Sequence, residues 1–199
     1  MKRILHVISS PRGEESNSNK LGNRIVEQLK TRYPGSTVTI NNTVESNYTH
    51  LNAAHLVAYG LPAEKYTAEH EEVISASDNA VAQLIDADII IISAPTYNFS
   101  LPSALKAWID HIVRAGKTFS YSTGKPEGLV KDKKVYLALA SNAVFSDGPY
   151  KTFDFSEPYL RFILGFIGIT DVTTYRIEGT GMPGIMETAV EKGLESVAV

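Results

Sequence analysis

Five apolar, β-branched runs alternate with segments of helical period, and this alternation predicts a doubly wound α/β fold with a five-stranded parallel sheet between two helical layers. The runs fall at residues 4–8, 38–40, 89–94, 135–140 and 172–177. Within the third, Ile89-Ile90-Ile91-Ile92 is apolar at every position, which suits a strand covered on both faces. It is the interior strand. The chain has 199 residues and 43% hydrophobic content, within the span of one domain and sufficient for a core without covalent staples. The expectation is a single domain over residues 1–199.

The first strand delivers Ser9-Ser10-Pro11-Arg12-Gly13, and the first helix is expected to open near residues 16–18, where small hydroxyl and amide side chains serve as caps. Leu21, Ile25 and Leu29, at a spacing of four, form its buried stripe, and Pro34-Gly35 ends it. Residues 41–66 turn polar and irregular before a helical period resumes over 68–85. This excursion, expected to be partly helical, is a pocket-shaping insertion or a surface connection. The third strand runs into Ser93-Ala94-Pro95-Thr96-Tyr97-Asn98-Phe99 and a helix-like stretch over 101–109. After the fourth strand comes Ser141-Asn142-Ala143-Val144, then Asp147-Gly148-Pro149 and an apolar segment over 159–168, which is either core or an oligomer contact. A last strand and a terminal helix over 183–197 complete the pattern.

Ligands of such sheets sit outside the carboxyl ends of the strands, so the loops after the first, third and fourth strands are the candidate site. Ser10, Ser16, Asn17 and Ser18 bring hydroxyls to the start of a helix, whose unpaired N–H groups and partial positive charge favour an anion such as a phosphate monoester. The same residues are also ordinary helix caps. Tyr97 and Phe99 offer stacking surface for a flat ligand beside the Asn98 amide, or simply cover the edge of the core around a turn.

Composition excludes several classes. There is no cysteine, which removes disulfides, thiolate metal sites and a cysteine nucleophile, so electron transfer would need a cofactor. A net charge of −3 without a basic stripe argues against nucleic acid. The apolar stretch after Met1-Lys2-Arg3 is too short for a signal peptide, and no segment has the length of a membrane span, so the expected location is the cytoplasm. The five His residues show no metal-ligand spacing. The loop after the first strand carries neither GxxxxGK[ST] nor GxGxxG with a following acidic residue, and the chain has no GxSxG elbow. A phosphoacceptor switch on this fold would need acidic residues where Pro95 and Ser9-Ser10 stand.

Taken together, Ser9-Ser10, Ser16-Asn17-Ser18, Ala94 through Phe99, Arg114-Ala115-Gly116-Lys117-Thr118-Phe119, Pro126-Glu127-Gly128-Leu129 and Gly165-Phe166-Ile167-Gly168-Ile169-Thr170-Asp171 resemble the FMN-dependent NADH azoreductases, also called NADH:quinone oxidoreductases. The resemblance covers nearly the whole chain. It implies a flavodoxin-like sheet in the order 2-1-3-4-5, FMN as cofactor, NADH as donor, and quinones or azo compounds as acceptors. By this resemblance Ser10, Ser16, Asn17 and Ser18 hold the ribityl phosphate, while Pro95, Thr96, Tyr97, Asn98 and Phe99 line the isoalloxazine. Ser141 and Asn142 face its pyrimidine edge. Phe119 and Tyr121, with Phe162, wall the substrate slot, although each aromatic also suits plain core packing. A homodimer with each flavin at the interface is implied, residues 159–168 being a candidate contact. No side chain is assigned as a catalytic acid or base, since flavin N5 carries the chemistry and Asn98 positions it.

The fourth-strand loop departs from the family, which carries a Ser-Arg-Gly-Gly-like run where this chain has Ser141-Asn142-Ala143-Val144. Glycines there would let backbone approach the ring. The alternative reading, a flavodoxin-like electron carrier without a small-molecule substrate, fits less well, because such carriers are shorter and more acidic.

Overall fold

The computed structural model describes residues 1–46 and 48–199; Asn47, within the polar excursion, lies outside the described residues. In chain order the elements are β1 (Arg3–Ile8), α1 (Asn17–Arg32), β2 (Thr37–Asn42), α2 (Ala53–Gly60), α3 (Ala68–Asp86), β3 (Ile89–Pro95), α4 (Ser103–Ile112), β4 (Phe119–Ser120), β5 (Glu127–Gly128), β6 (Lys134–Ala140), α5 (Glu157–Phe166), β7 (Asp171–Ile177) and α6 (Ala189–Glu195). The main sheet is ordered β2-β1-β3-β6-β7. All its pairings are parallel, with Ile8 opposite Ser93, Pro95 opposite Ala140, and Ala140 opposite Ile177. This is the five-stranded order expected of a flavodoxin-like sheet. The carboxyl ends of β1, β3 and β6 therefore meet along one rim.

Alternation along β3 explains the isoleucine run. Ile90 and Ile92 join Leu5, Val7, Trp108, Leu160 and Leu164 on one face, whereas Ile89 and Ile91 join Ile4, Leu21, Ile25 and Leu29 on the other. Burying such a side chain contributes about 1.5–3 kcal/mol. The expected stripe of α1 is fully buried, and the helix ends at Tyr33 before Gly35, whose φ of 79° is left-handed. Gly22 lets α1 lie close to the sheet. A Cβ on it would sit 2.1 Å from Ser93 Oγ and 2.4 Å from His6 Nε2.

The polar excursion is partly helical, as expected: it contains α2, capped by Asn52, packed on α3 and touching α4 through His55 and His111, whose rings meet edge-on at 5.2 Å. Two elements differ from expectation. The short hairpin β4-β5 was not foreseen, because two-residue strands have no readable period. Finally, the terminal helix begins at Ala189 rather than 183, since Gly184 at φ 79° breaks the right-handed path and residues 182–188 fold as successive turns. The apolar segment before β7 divides: Leu160 and Leu164 enter the core, while Phe162 is 70% exposed.

Candidate functional site

Beyond β1 the chain bends so that Ser9 Oγ donates to the Ser93 carbonyl at 2.8 Å, which fixes the first loop against β3. Ser10 follows, buried, with its hydroxyl 3.5 Å from the Tyr97 hydroxyl. Ser16 is the N-cap of α1, accepting from Asn19 N–H at 3.4 Å, and its hydroxyl lies 2.9 Å from that of Ser18. These bonds leave the N–H groups of Asn17 and Ser18 without an acceptor inside the helix. Three buried hydroxyls and two helix-end N–H groups thus converge.

They line a cavity of about 120 Å³ that also takes in Arg12, Pro95, Thr96 and Tyr97, then Ala140, Ser141 and Asn142, and Thr180 from beyond β7. A small pocket with hydroxyl and N–H donors, a helix dipole and a guanidinium at its border suits a dianionic group.

The loop after β3 is a tight hairpin. Tyr97 and Ser100 exchange N–H to carbonyl bonds at 3.0 Å, and Asn98 and Phe99 between them have φ of 50° and 67°. Two left-handed residues in succession make a mirror-image turn. For phenylalanine this conformation costs about 1–2 kcal/mol, the kind of strain that collects where a ligand is gripped. The Phe99 ring is held by Phe145 and Phe153, each at a centroid distance of 6.2 Å. Thr96 N–H donates to the Ala140 carbonyl, which ties the turn to β6. Tyr97 borders the small cavity and, with Asn98, a second cavity of about 1050 Å³ walled by Leu101, Phe155 and Tyr159. Lys106 also borders it, donating to Asp110 at 2.6 Å.

In the loop after β6, the Ser141 hydroxyl is turned inward, donating to the Ala143 carbonyl at 2.7 Å. Asn142 Oδ1 accepts from Thr180 Oγ1 at 3.0 Å, and the Asn142 carbonyl accepts from Gly181 N–H at 3.0 Å. The segment after β7 therefore shapes this loop.

The structure thus gathers Ser10, Ser16, Asn17, Ser18, Pro95, Thr96, Tyr97, Ser141 and Asn142 around one cavity. Asn98 borders the adjoining one, and Phe99 contributes through its turn. Phe119, Tyr121 and Phe162 lie outside both linings. Phe119 packs on Phe166 at 4.7 Å and on Tyr121 at 5.5 Å. Sequence reasoning missed Arg12 and Thr180; the latter stands between Gly179 and Gly181, a flanking pair that marks a close backbone approach.

A pocket of hydroxyl and N–H donors at a helix start, next to an aromatic turn on the rim of a parallel sheet ordered in this way, is the arrangement of a flavodoxin-like protein. The family described as having a flavodoxin-like fold matches residues 2–198. Over 198 residues the chain is 41% identical to the FMN-dependent NADH:quinone oxidoreductase of Beijerinckia indica subsp. indica, covering 100% of this chain and 98% of that protein. It is 43% identical to the enzyme of the same name from Herminiimonas arsenicoxydans over 182 residues, 92% of this chain and 89% of that one. The crystal structure of an azoreductase from Bacillus anthracis str. Sterne superposes with a TM-score of 0.89 at 29% identity, over 98% of this chain and 96% of that one. The chain belongs to the family of FMN-dependent NADH:quinone oxidoreductases and azoreductases.

Proposed function

We propose that this chain is a single FMN-binding domain that carries two electrons at a time from NADH to quinones and, over two rounds, reductively cleaves aromatic azo compounds. The observation that carries the reading is the pairing of the dianion-sized donor pocket with the strained aromatic turn, Tyr97 belonging to the walls of both cavities. Ser10, Ser16 and Ser18 hydroxyls and the N–H groups of Asn17 and Ser18 match the acceptor oxygens of a phosphate, so the donor set fits FMN. Bound there, the flavin supplies hydride acceptance and release, with nicotinamide and acceptor using one site in turn.

The protein's own residues bind, orient and exclude water. The Asn98–Phe99 turn leaves two N–H groups unused by its hairpin, available to the polar edge of a planar ring, and Asn98 positions that ring. Asn142, whose Oδ1 is already engaged by Thr180, has its amide N–H₂ to offer the pyrimidine edge. Leu101, Phe155 and Tyr159 give the larger cavity apolar walls suited to a flat acceptor. No acid or base on the chain is required, since solvent supplies the proton that completes hydroquinone formation. An azo bond takes four electrons to cleave fully, hence two NADH.

The same reading includes a homodimer with the flavin at the interface. Tyr121 and Phe162 are 59% and 70% exposed and lie outside both linings, which supports a role for them against a second copy. Dependence on NADH supports a cytoplasmic location. The large cavity favours an enzyme over a protein-to-protein electron carrier.

Steady-state oxidation of NADH by a benzoquinone, with both concentrations varied, tests the reading. Parallel double-reciprocal lines are expected. Intersecting lines would exclude the shared slot, and absence of turnover in an FMN-loaded sample would favour the carrier.

A further inference from the structure

We propose that Glu178 and Arg176 are positioning residues for the ring-binding rim: they clamp the loop after β6 and, through Phe145, hold the Asn98–Phe99 turn in its left-handed form. The proposal rests on the FMN reading above and extends it to residues outside the cavity walls.

Arg176 is near the end of β7, with a side chain 15% exposed. Its guanidinium donates to Glu178 at 3.0 Å, to Asp154 at 2.6 Å and to Glu157. One planar cation therefore joins β7 to the segment that leads into α5. Glu178 then reaches the loop after β6, where its Oε1 accepts from the N–H groups of Phe145 at 2.8 Å and Ser146 at 3.0 Å. Asp154 accepts from the N–H groups of Ser156 and Glu157 at 2.9 and 3.1 Å, which fixes the start of α5.

What distinguishes this network from an ordinary ion-pair cluster is where its hydrogen bonds end. The Glu178 carboxylate terminates on the backbone of Phe145, a residue only 5% exposed, whose ring meets Phe99 edge-on at 6.2 Å. Phe153, next to the clamped Asp154, also meets Phe99 at 6.2 Å. Both segments tied by Arg176 thus press an aromatic ring against the residue at φ 67°. A relaxed turn would swing Phe99 away from them.

The clamp also accounts for the loop that lacks glycines. Ser141-Asn142-Ala143-Val144 runs without glycine and without a left-handed residue, and its path is held by Glu178 at one end and Thr180 at the other.

The test uses Glu178→Ala, Glu178→Gln and Phe145→Leu, the last of which keeps the backbone N–H that Glu178 accepts and removes the aromatic ring against Phe99. Dissociation constants of the apoprotein for FMN and for riboflavin, visible circular dichroism of the saturated flavin, kcat and KM with NADH, and the melting temperature would be measured. The clamp acts at the ring end. Glu178→Ala and Phe145→Leu should therefore weaken FMN and riboflavin by the same factor, about tenfold, alter the visible dichroism and lower kcat at saturating FMN; Glu178→Gln, which still accepts from the loop N–H groups, should fall between. A lower melting temperature with wild-type dichroism and kcat at saturation would reduce the network to a structural staple and overturn the proposal. Should the unaltered protein bind neither flavin, the FMN reading itself fails, a result distinct from flavin-loaded variants that behave like the parent.

Discussion

Acidification should destabilise this protein through His6. The side chain is 2% exposed, on the face of β1 that meets α1, with Nε2 2.8 Å from Ser93 Oγ and the Gly22 backbone pressed against the ring. Burial without a countercharge lowers its pKa from 6.5 to about 4. The unfolded chain therefore binds a proton that the folded one refuses. Stability is full above pH 6.5 and declines as pH falls toward 4, where the linkage amounts to about 3 kcal/mol. For Glu157, burial pushes the carboxyl up, but Thr174, Arg176 and Arg161 outweigh it and hold it at about 2. Its contribution is present above the ordinary carboxyl range and is lost between roughly pH 4.5 and 2, below the window of His6. Urea unfolding of the parent and of His6→Gln, each at several pH values from 7 to 4, isolates the effect because Glu157 is common to both. The parent should lose about 3 kcal/mol more than the variant across that range. Parallel decline of the two curves would refute the assignment.

Other outcomes follow from the same geometry. Gly22→Ala places a methyl against Ser93 and His6 and should cost about 1–3 kcal/mol of stability by urea unfolding, with weaker FMN binding as α1 shifts; an unchanged midpoint would mean that the helix has room to move. Ser18→Ala removes a fully buried hydroxyl from the donor pocket, so FMN affinity should drop by about 1.5–3 kcal/mol while riboflavin, which has no phosphate, binds as before; equal losses for both would place Ser18 elsewhere in the mechanism of binding. Phe162→Ala, on the exposed face of α5 and assigned above to the contact with a second copy beside the flavin, should change the preference among quinones and leave the spectrum of bound oxidised flavin intact, whereas release of the flavin would make Phe162 structural.

The sheet was legible because its physics is local. Four isoleucines in a row have no polar face to show to water, so β3 had to be interior, and Leu21, Ile25 and Leu29 mark one side of α1 by spacing alone. The packing of α1 was not legible: Gly22 is one small residue among many until the sheet beneath it is known. Hydroxyl and amide residues near the helix start and the Pro95 to Phe99 loop stand out as residue types, but Arg12 and Thr180 join them only through tertiary geometry. The left-handed conformation of Phe99 runs against the residue's own preference and depends on Phe145 and Phe153, which are 46 and 54 positions further along the numbering. The clamp of Arg176 on three acidic side chains is likewise a product of strand order rather than of spacing.

In the proposed function the donor pocket and the aromatic turn together hold one flavin mononucleotide. Titrating stripped protein with FMN and with riboflavin, followed by quenching of flavin fluorescence, measures this directly. One FMN per chain should bind at micromolar concentration or below, and more tightly than riboflavin. No quenching by FMN at that concentration, or equal affinity for the two flavins, would contradict it.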